Sequence, residues 1–585
     1  MEIPQRASFA HVDHIMVADF DIDKGASLTH QYPTKTGTHE NILAELMLPD
    51  GAHLRDEDWT MFFINQPTPS DSVCFPGRKP LMYVLNLVRT KHIAGARRGA
   101  QIKAMAVASR HQWVHVFKPL LIMALEAFFN SPTEDIIAEL FTSINNMDLS
   151  PMPRLSLIER MIIRNSEDRT LFEEKFNEAE ERTRTLSLPR SQRSDRADKK
   201  PEGGDFILNR MKSIKKKNPG SHSLQANIGT IERTKQKSKF NKDLLYFEAR
   251  VDFHGVRVPI RVPLAALPEE IGDFSTAKFV STLLASGIMI PPVNDQTQYQ
   301  NGVPYYWHPH LDCGSATHGL IVLLNALLTE KRVLFMGYQR PAGDVANYVL
   351  AACALISGGG SLLKGISGRC FPYIGLAGLD TLLSVPGYIA GVTNPMFEEQ
   401  TGWWDVLCDI NTGKIKVSPK LEILSGEREP PTLPKDVEWF KAGAWEGDAD
   451  FIKEVCLIAI HEVRSWLPSN LASEAALAAD YSLIPSHMGE MYIRQRFYDR
   501  IRRILDVAAT VERDLSEDGT TEIGLNKRDL RGSTATEGLS VGFGTYFVDD
   551  YAKKREVMML KNTIEGWRKT TSYQRFKKVG MVARR

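Results

Sequence analysis

The 585-residue sequence is poor in cysteine, with only Cys74, Cys313, Cys353, Cys370, Cys408 and Cys456. No two of them form a Cys-x-x-Cys pair, so neither a zinc ribbon nor a thioredoxin-type redox site is signalled. It lacks any Asn-x-Ser/Thr glycosylation acceptor, and its opening residues, MEIPQRASFAHVDH, lack the apolar core of a signal peptide. Long hydrophobic runs are missing too: the longest apolar segments, such as VANYVLAACALIS (Val345 to Ser357), are too short to span a bilayer. Nor is one sign of charge in excess, since 72 Lys and Arg stand against 71 Asp and Glu. That balance gives no whole-chain pull toward nucleic acid or membrane. The absences lead to the expectation of a cytosolic, reduced protein, carried to any membrane by a partner or a basic segment.

What is present is patterned in blocks. The first, residues 1–165, reads as strand (HIMVADF), strand (LTHQYP), a short helix stopped by Pro49 and Gly51, three further strands and two helices. Pro119 suits the first turn of the first long helix, and Thr133 is a candidate N-cap for the next. This order predicts an antiparallel sheet with helices on its faces. Residues 166–245 are rich in charge, Ser, Gly and Pro, with an excess of about ten positive charges between Arg190 and Lys242. The stretch reads as a basic disordered linker, serving as a solvated tether or as a membrane or phosphorylation segment. Residues 246–425 begin with a hairpin turning at His254-Gly255. Helices and strands then alternate, with Asp344 as N-cap of one helix, so the block is α/β with a partly parallel sheet. Residues 426–585 carry helical periodicity in three long stretches, with a Gly- and Thr-rich mobile loop near 515–543.

Motifs for covalent or metal chemistry are weak. SGGGSLLKGISG holds a glycine run and Lys364 but no Gly-Lys-Ser/Thr ending, so it predicts a turn after a helix rather than a phosphate loop. Its GISG is not a nucleophile elbow, and Ser367 reads as an ordinary loop serine. His308, His310, Cys313 and His318 fall within a dozen residues, but no second Cys/His pair frames a zinc site. The preferred reading is a structured loop with imidazoles bonded to backbone. A protease dyad on Cys313 has no better support. Trp403-Trp404 reads as core plus rim, and the arginines of RQRFYDRIRRI as a solvated helix face rather than a nucleic-acid surface. A chain of this size without a catalytic constellation points to function carried by surfaces and grooves, with no cofactor and no metal.

Longer stretches carry a resemblance. VADFDIDKGASLTHQYP, LMLPDGAHLRDEDWTMFFI, RRGAQIKAMAVASRHQWVHVFKPLLIMALE, LLNALLTEKRVLFMG and PGYIAGVTNPMFEEQTGWWDVLCDINTGKI look like the fungal DENN-module proteins of the Arf-interacting, polarity-axis type. The resemblance covers nearly all of the chain apart from the linker. It implies a longin-like lobe, a central α/β DENN lobe and a C-terminal helical region. It also implies a guanine-nucleotide exchange factor or docking protein for a small GTPase, Rab or Arf, at membranes or the cell cortex. Exchange of this kind is differential binding of the empty GTPase and needs no acid, base or metal. A cortical scaffold that binds the GTPase without exchanging nucleotide is the alternative. Two strand ends are the candidate GTPase-binding residues. Thr393 and Asn394 stand just before Pro395, which cannot continue a ladder and should leave the polar pair exposed. Asn394 could instead fasten its own turn. Arg340, Asp344 and Asn347 lie in YQRPAGDVANY.

Overall fold

The computed structural model describes residues 10–21, 23, 25–66, 79–92, 100–164, 166, 171–187, 246–284, 299–300, 303–304, 310–311, 317–418, 421, 446–465, 489–517 and 547–582. The chain divides into a larger unit, Met1–Met147 with Arg250–Val262 and Ala266–Arg585, and a smaller one, Asp148–Ala249 with Pro263–Ala265.

In the larger unit the first sheet contains β1 (His14–Asp21), β2 (Gly25–Tyr32), β3 (Glu57–Ile64), β4 (Met82–His92) and β5 (Ala100–Ser109), in the order β2-β1-β5-β4-β3. Every pairing is antiparallel. The two-residue period of a strand sends Met82, Val84 and Val88 of β4 to one face. There they share a core with Met16, Phe62, Ala104 and with Leu43 and Met47 of α1 (Glu40–Met47). The alternate residues Leu85 and Leu87 are also buried, on the side where α2 (Lys118–Asn130) packs against β4 and β5. α3 (Glu134–Asn145) packs against β1 and β2. Pro119 lies in the first turn of α2. Thr133 stands at the N-cap of α3, but its hydroxyl makes no capping bond. The one fully buried amide of β4, Asn86, has a structural use. Its Nδ2 donates to the Met47 carbonyl at 2.8 Å and to Thr60 Oγ1 at 2.9 Å, closing the C-terminus of α1.

The smaller unit holds α4 (Leu157–Arg164) and α5 (Glu173–Ser187) around Leu155, Ile163 and Leu264, with Phe172 and Phe176 packed on them. The helix α5 occupies the start of the segment expected as linker. Its strong helix formers and the apolar anchor Phe176 outweigh its high polarity. Residues 188–245, with the basic runs, lie outside the described residues.

Next, β6 (Tyr246–Phe253) and β7 (Val256–Pro263) form the expected hairpin. His254 and Gly255 both have positive φ, 50° and 72°, the signature of the two-residue turn that matches strand twist. Then follow α6 (Thr276–Leu284), the two-residue strands β8 (Tyr299–Gln300) and β9 (Val303–Pro304), α7 (Gly319–Leu328), β10 (Val333–Met336), α8 (Ala342–Ser357) and β11 (Cys370–Phe371). The lobe closes with α9 (Leu379–Leu383), β12 (Ile389–Val392), α10 (Met396–Glu399), β13 (Val406–Asp409) and β14 (Ile415–Val417). The second sheet runs β11-β12-β10-β13-β14, parallel except for β13–β14. All four residues of β10 and of β12 are buried, as helices covering a parallel sheet require. Gly358, Gly359 and Gly360, all at positive φ, turn the chain after α8. The protein is thus a mixed α/β fold with two separate five-stranded sheets.

The C-terminal part is helical: α11 (Glu446–Ser465), α12 (Gly489–Glu517), α13 (Asp550–Arg568) and α14 (Thr571–Val582). The stripes Phe451, Ile452, Val455, Ile458 and Ile493, Phe497, Ile501, Leu505 are buried. The final periodic stretch, expected as one helix, breaks at Lys569-Thr570. Glu330 accepts from the amides of Thr571 and Ser572 at 3.0 and 2.9 Å, so a new helix starts there. The Gly- and Thr-rich loop from 518 lies outside the described residues. No described helix is long and apolar enough to cross a membrane.

Candidate functional site at the junction of the two sheets

β3 is an edge strand of the first sheet, and such an edge must be paired or covered. Here α8 covers it. Contact is close because residue 343 is glycine: a Cβ there would stand 2.9 Å from the Trp59 carbonyl oxygen. The N-terminus of α8 has Pro341 at its N-cap position and no side-chain cap of its own. Asp344, expected as the cap, lies within the first turn. The cap comes instead from Asp58 on β3, which accepts from the Ala342 amide at 2.9 Å and the Gly343 amide at 3.3 Å. Asp58 also accepts from the Trp59 amide at 2.7 Å. Burial pushes the Asp58 carboxyl above its usual range, against the pull of these three amides and the nearby Arg55. The helix dipole favours an anion at this end.

Around this cap the two sheets exchange further bonds. Arg55 donates to the Gln339 carbonyl at 2.5 Å, and Gln339 holds a left-handed backbone at φ 60°. The Asp50 amide donates to the Tyr373 hydroxyl at 3.2 Å, and Asn394 Nδ2 donates to Asp50 Oδ2 at 3.2 Å. Large apolar side chains flank these bonds with much of their surface in solvent: Leu54 is 69% exposed, Tyr338 51% and Met396 46%. The junction therefore offers an apolar rim set among satisfied polar groups, the composition of a protein-binding surface rather than of a reaction centre.

The expected residues fall at this junction in different ways. Arg340 is partly exposed; its Nε donates to Asn411 Oδ1 at 2.8 Å and its guanidinium lies 3.9 Å from Asp344. Asp344 also pairs with Lys278 at 3.2 Å. Asn347 is half-buried on α8. Thr393, expected to be exposed, is 7% exposed. The chain after β11 lays Tyr373 over it, with the two hydroxyl oxygens 3.4 Å apart. Asn394 does two jobs: it accepts from the Met396 amide at 3.0 Å, which fastens its own turn, and it reaches Asp50 across the junction. Asp50, Leu54, Arg55 and Asp58 were not singled out from sequence, although they sit in the quoted stretch LPDGAHLRDEDW.

The other candidates resolve into structure. His318 Nδ1 accepts from the Leu320 amide at 3.1 Å and caps α7. Burial lowers the His318 pKa, which favours the neutral acceptor form. His310 Nδ1 lies 3.5 Å from Lys331 Nζ; His308 and Cys313 lie outside the described residues. Trp404 is buried, its indole donating to the Phe397 carbonyl, with Trp403 packed at the edge of the same core. Among the described side chains of α12, Arg494 pairs with Glu270, Arg496 with Glu454, Arg500 with Asp448 and Arg503 with Glu556; Arg500 is buried by its partner helix α11 rather than solvated as expected.

Two segments of the chain match known families. Residues 14–76 match a family described as the docking domain of Afi1 for Arf3 in vesicle trafficking, and residues 307–419 match one described as stabilization of polarity axis. As to an individual relative, the chain is similar to an AFI1-like protein of Schizosaccharomyces pombe, 31% identical over 423 residues. The aligned region covers 70% of this chain and 60% of that relative, so the chain spans less than two thirds of the relative's length. The junction lies where the two matched segments touch. Asp50 to Asp58 come from the first, and Gln339 to Gly343, Tyr373 and Asn394 from the second.

Proposed function

We propose that this protein is a docking platform for a small GTPase of the Arf class, acting in vesicle trafficking and cell polarity. The observation that carries the reading is the junction just described. The segment that resembles an Arf-docking domain supplies Leu54 and Arg55 to a rim completed by Tyr338, Arg340 and Met396. An exposed apolar rim with fixed polar groups suits a partner that is bound and released, since its apolar surface is small enough to stand in water. Asn347 and Asn394 are the polar groups we assign to its border. The basic stretch between Arg190 and Lys242 is the part we assign to contact with an anionic leaflet, at about 1 kcal/mol per basic residue near the surface.

A second reading, nucleotide exchange on a Rab GTPase, is favoured by one observation. The first sheet is built in the order two strands, helix, three strands, two helices, which is the pattern of the longin-type lobe that the resemblance implies. The two readings separate in one experiment. Purified Arf and Rab GTPases are loaded with fluorescent GDP, with a non-hydrolysable GTP analogue, or left empty, and titrated with the full-length protein. Docking requires saturable binding without faster GDP release. Exchange requires faster release and tighter binding of the empty form. No binding to any Arf sinks the first reading.

A further inference from the structure

A second feature lies away from the junction, where the α/β lobe meets α14, and does not rest on the reading above. A small open cleft there is lined by Lys364, Arg369, Ser572, Arg575 and Glu330 among others. Arg369 is only 6% exposed. Its two terminal nitrogens donate to the carbonyls of Leu327 and Gly387, at 2.5 and 2.6 Å. Its Nε is buried and has no partner. Among the described residues no carboxylate lies within ion-pair distance of it. Ser572 is 4% exposed, and its hydroxyl is also buried without a partner. The one acid of the cleft, Glu330, is committed to α14, accepting from the amides of Thr571 and Ser572 and the Thr571 hydroxyl. Arg575 donates to the Gly365 carbonyl at 2.8 Å, and Lys364 is exposed.

Three cations thus share one carboxylate: Glu330 acts on the Arg369 charge from beyond ion-pair distance and is itself bonded to α14. A buried polar N–H left unbonded is costly, and the Nε–H of a guanidinium is a charged donor that an oxyanion can accept from. We infer that this cleft is a binding site for a phosphate-type oxyanion, held by Arg369 Nε and the Ser572 hydroxyl within and by Lys364 and Arg575 at the mouth. The charge would complete the electrostatics of the cleft and tie α14 to the lobe. The same chemistry is offered by free phosphate and by the headgroup of a phosphoinositide.

The test uses the full-length protein. Its unfolding midpoint is followed against inorganic phosphate, with chloride at equal ionic strength as control. A site gives a midpoint that is flat below the dissociation constant and rises with the logarithm of phosphate concentration above it. The apparent dissociation constant fitted to that rise should increase about tenfold in Ser572→Ala, the loss of one bond to a charged group, and also increase in Lys364→Ala, whose exposed side chain leaves the fold alone. Identical midpoints in phosphate and chloride overturn the site. So does a phosphate effect that both variants leave unchanged. Sedimentation with phosphatidylcholine vesicles, with and without a phosphatidylinositol phosphate, then distinguishes the sources. Binding that needs the phosphoinositide and falls in both variants assigns the headgroup. A phosphate response that depends on both residues, without such vesicle binding, assigns the free anion.

Discussion

Replacing Asp58 by alanine tests the junction at its most buried polar point. The carboxylate holds the amides of Ala342 and Gly343, at 2.9 and 3.3 Å, at the start of α8. The Ala342 amide is buried, so water cannot readily replace the lost acceptor. A buried donor left unpaired costs about 1–3 kcal/mol, and losing an N-cap costs about 0.5–2 kcal/mol. These are two views of one loss. With Gly343 partly accessible and only the Ala342 amide fully deprived, Asp58→Ala should therefore cost about 1–3 kcal/mol. Asp58→Asn keeps one acceptor oxygen but loses the charge that faces the helix dipole, so about 1–2 kcal/mol is expected. Urea unfolding followed by fluorescence gives the shift. Hydrogen exchange at the first turn of α8 gives its location, because only a cap effect speeds exchange there ahead of the rest of the helix. An unchanged urea midpoint in Asp58→Ala would refute the reasoning, as would an Asn variant as damaged as the alanine one.

Acid should weaken the fold through His111, whose pKa burial lowers to about 4, with a smaller contribution from His11 close by. The unfolded chain binds this proton from about pH 6.5 downward while the native state refuses it, so stability is full above 6.5 and is lost as pH falls toward 4. His115, also lowered to about 4 by burial, acts in the same sense. Urea midpoints at pH 7 and pH 5 should differ, and the difference should shrink in His111→Phe, which keeps a ring against Trp113. Gly343→Ala should destabilise by about 1–3 kcal/mol, since its methyl would stand 2.9 Å from the Trp59 carbonyl oxygen; a neutral result would mean that α8 can retreat from β3. Asn394→Ala should lower the thermal midpoint, because it removes bonds to Met396 and Asp50. Arg340→Glu should instead lower GTPase affinity at an unchanged midpoint, and a lowered midpoint with unchanged affinity in that variant would misplace the rim. Glu490→Ala should loosen α6 by about 2–4 kcal/mol, as it accepts from the amides of Thr276 and Ala277 at 2.7 and 3.2 Å; circular dichroism melts of the full chain check it.

The elements were legible in the sequence where apolar spacing repeats. The strands of the first sheet and the stripes of α11 and α12 carry a period of two or of about 3.6 residues, and β10 stands out as an unbroken apolar run. What was hidden is aperiodic. Asp58 sits in RDEDW as one of three successive acids with nothing to set it apart, and its partners Ala342 and Gly343 are 284 and 285 residues away. No local pattern announces such a cap. Thr393 was misread for the same reason. Pro395 does end the strand, as expected, but Tyr373 comes from another part of the chain to cover the residue before it. For Asn394 the turn-fastener reading is realised, since its amide oxygen accepts from Met396, while its amide nitrogen donates to Asp50 within the protein itself. The helix α5 escaped notice because its polarity resembles linker, and only the spacing of Phe176 from its neighbours hints at an apolar side.

The capping carboxylates also bear on how the chain is made. The N-terminus of α8 waits for an acid already synthesised 284 residues earlier, whereas the first turn of α6 is completed by Glu490, 214 residues downstream. At roughly 5–20 residues per second, that second acid leaves the ribosome roughly 10–40 seconds after the helix it completes. Through that interval the central lobe exists with one helix end open, and it cannot reach its final form until the C-terminal helices arrive. Early termination should therefore yield a trapped, chaperone-bound lobe rather than a shorter working protein.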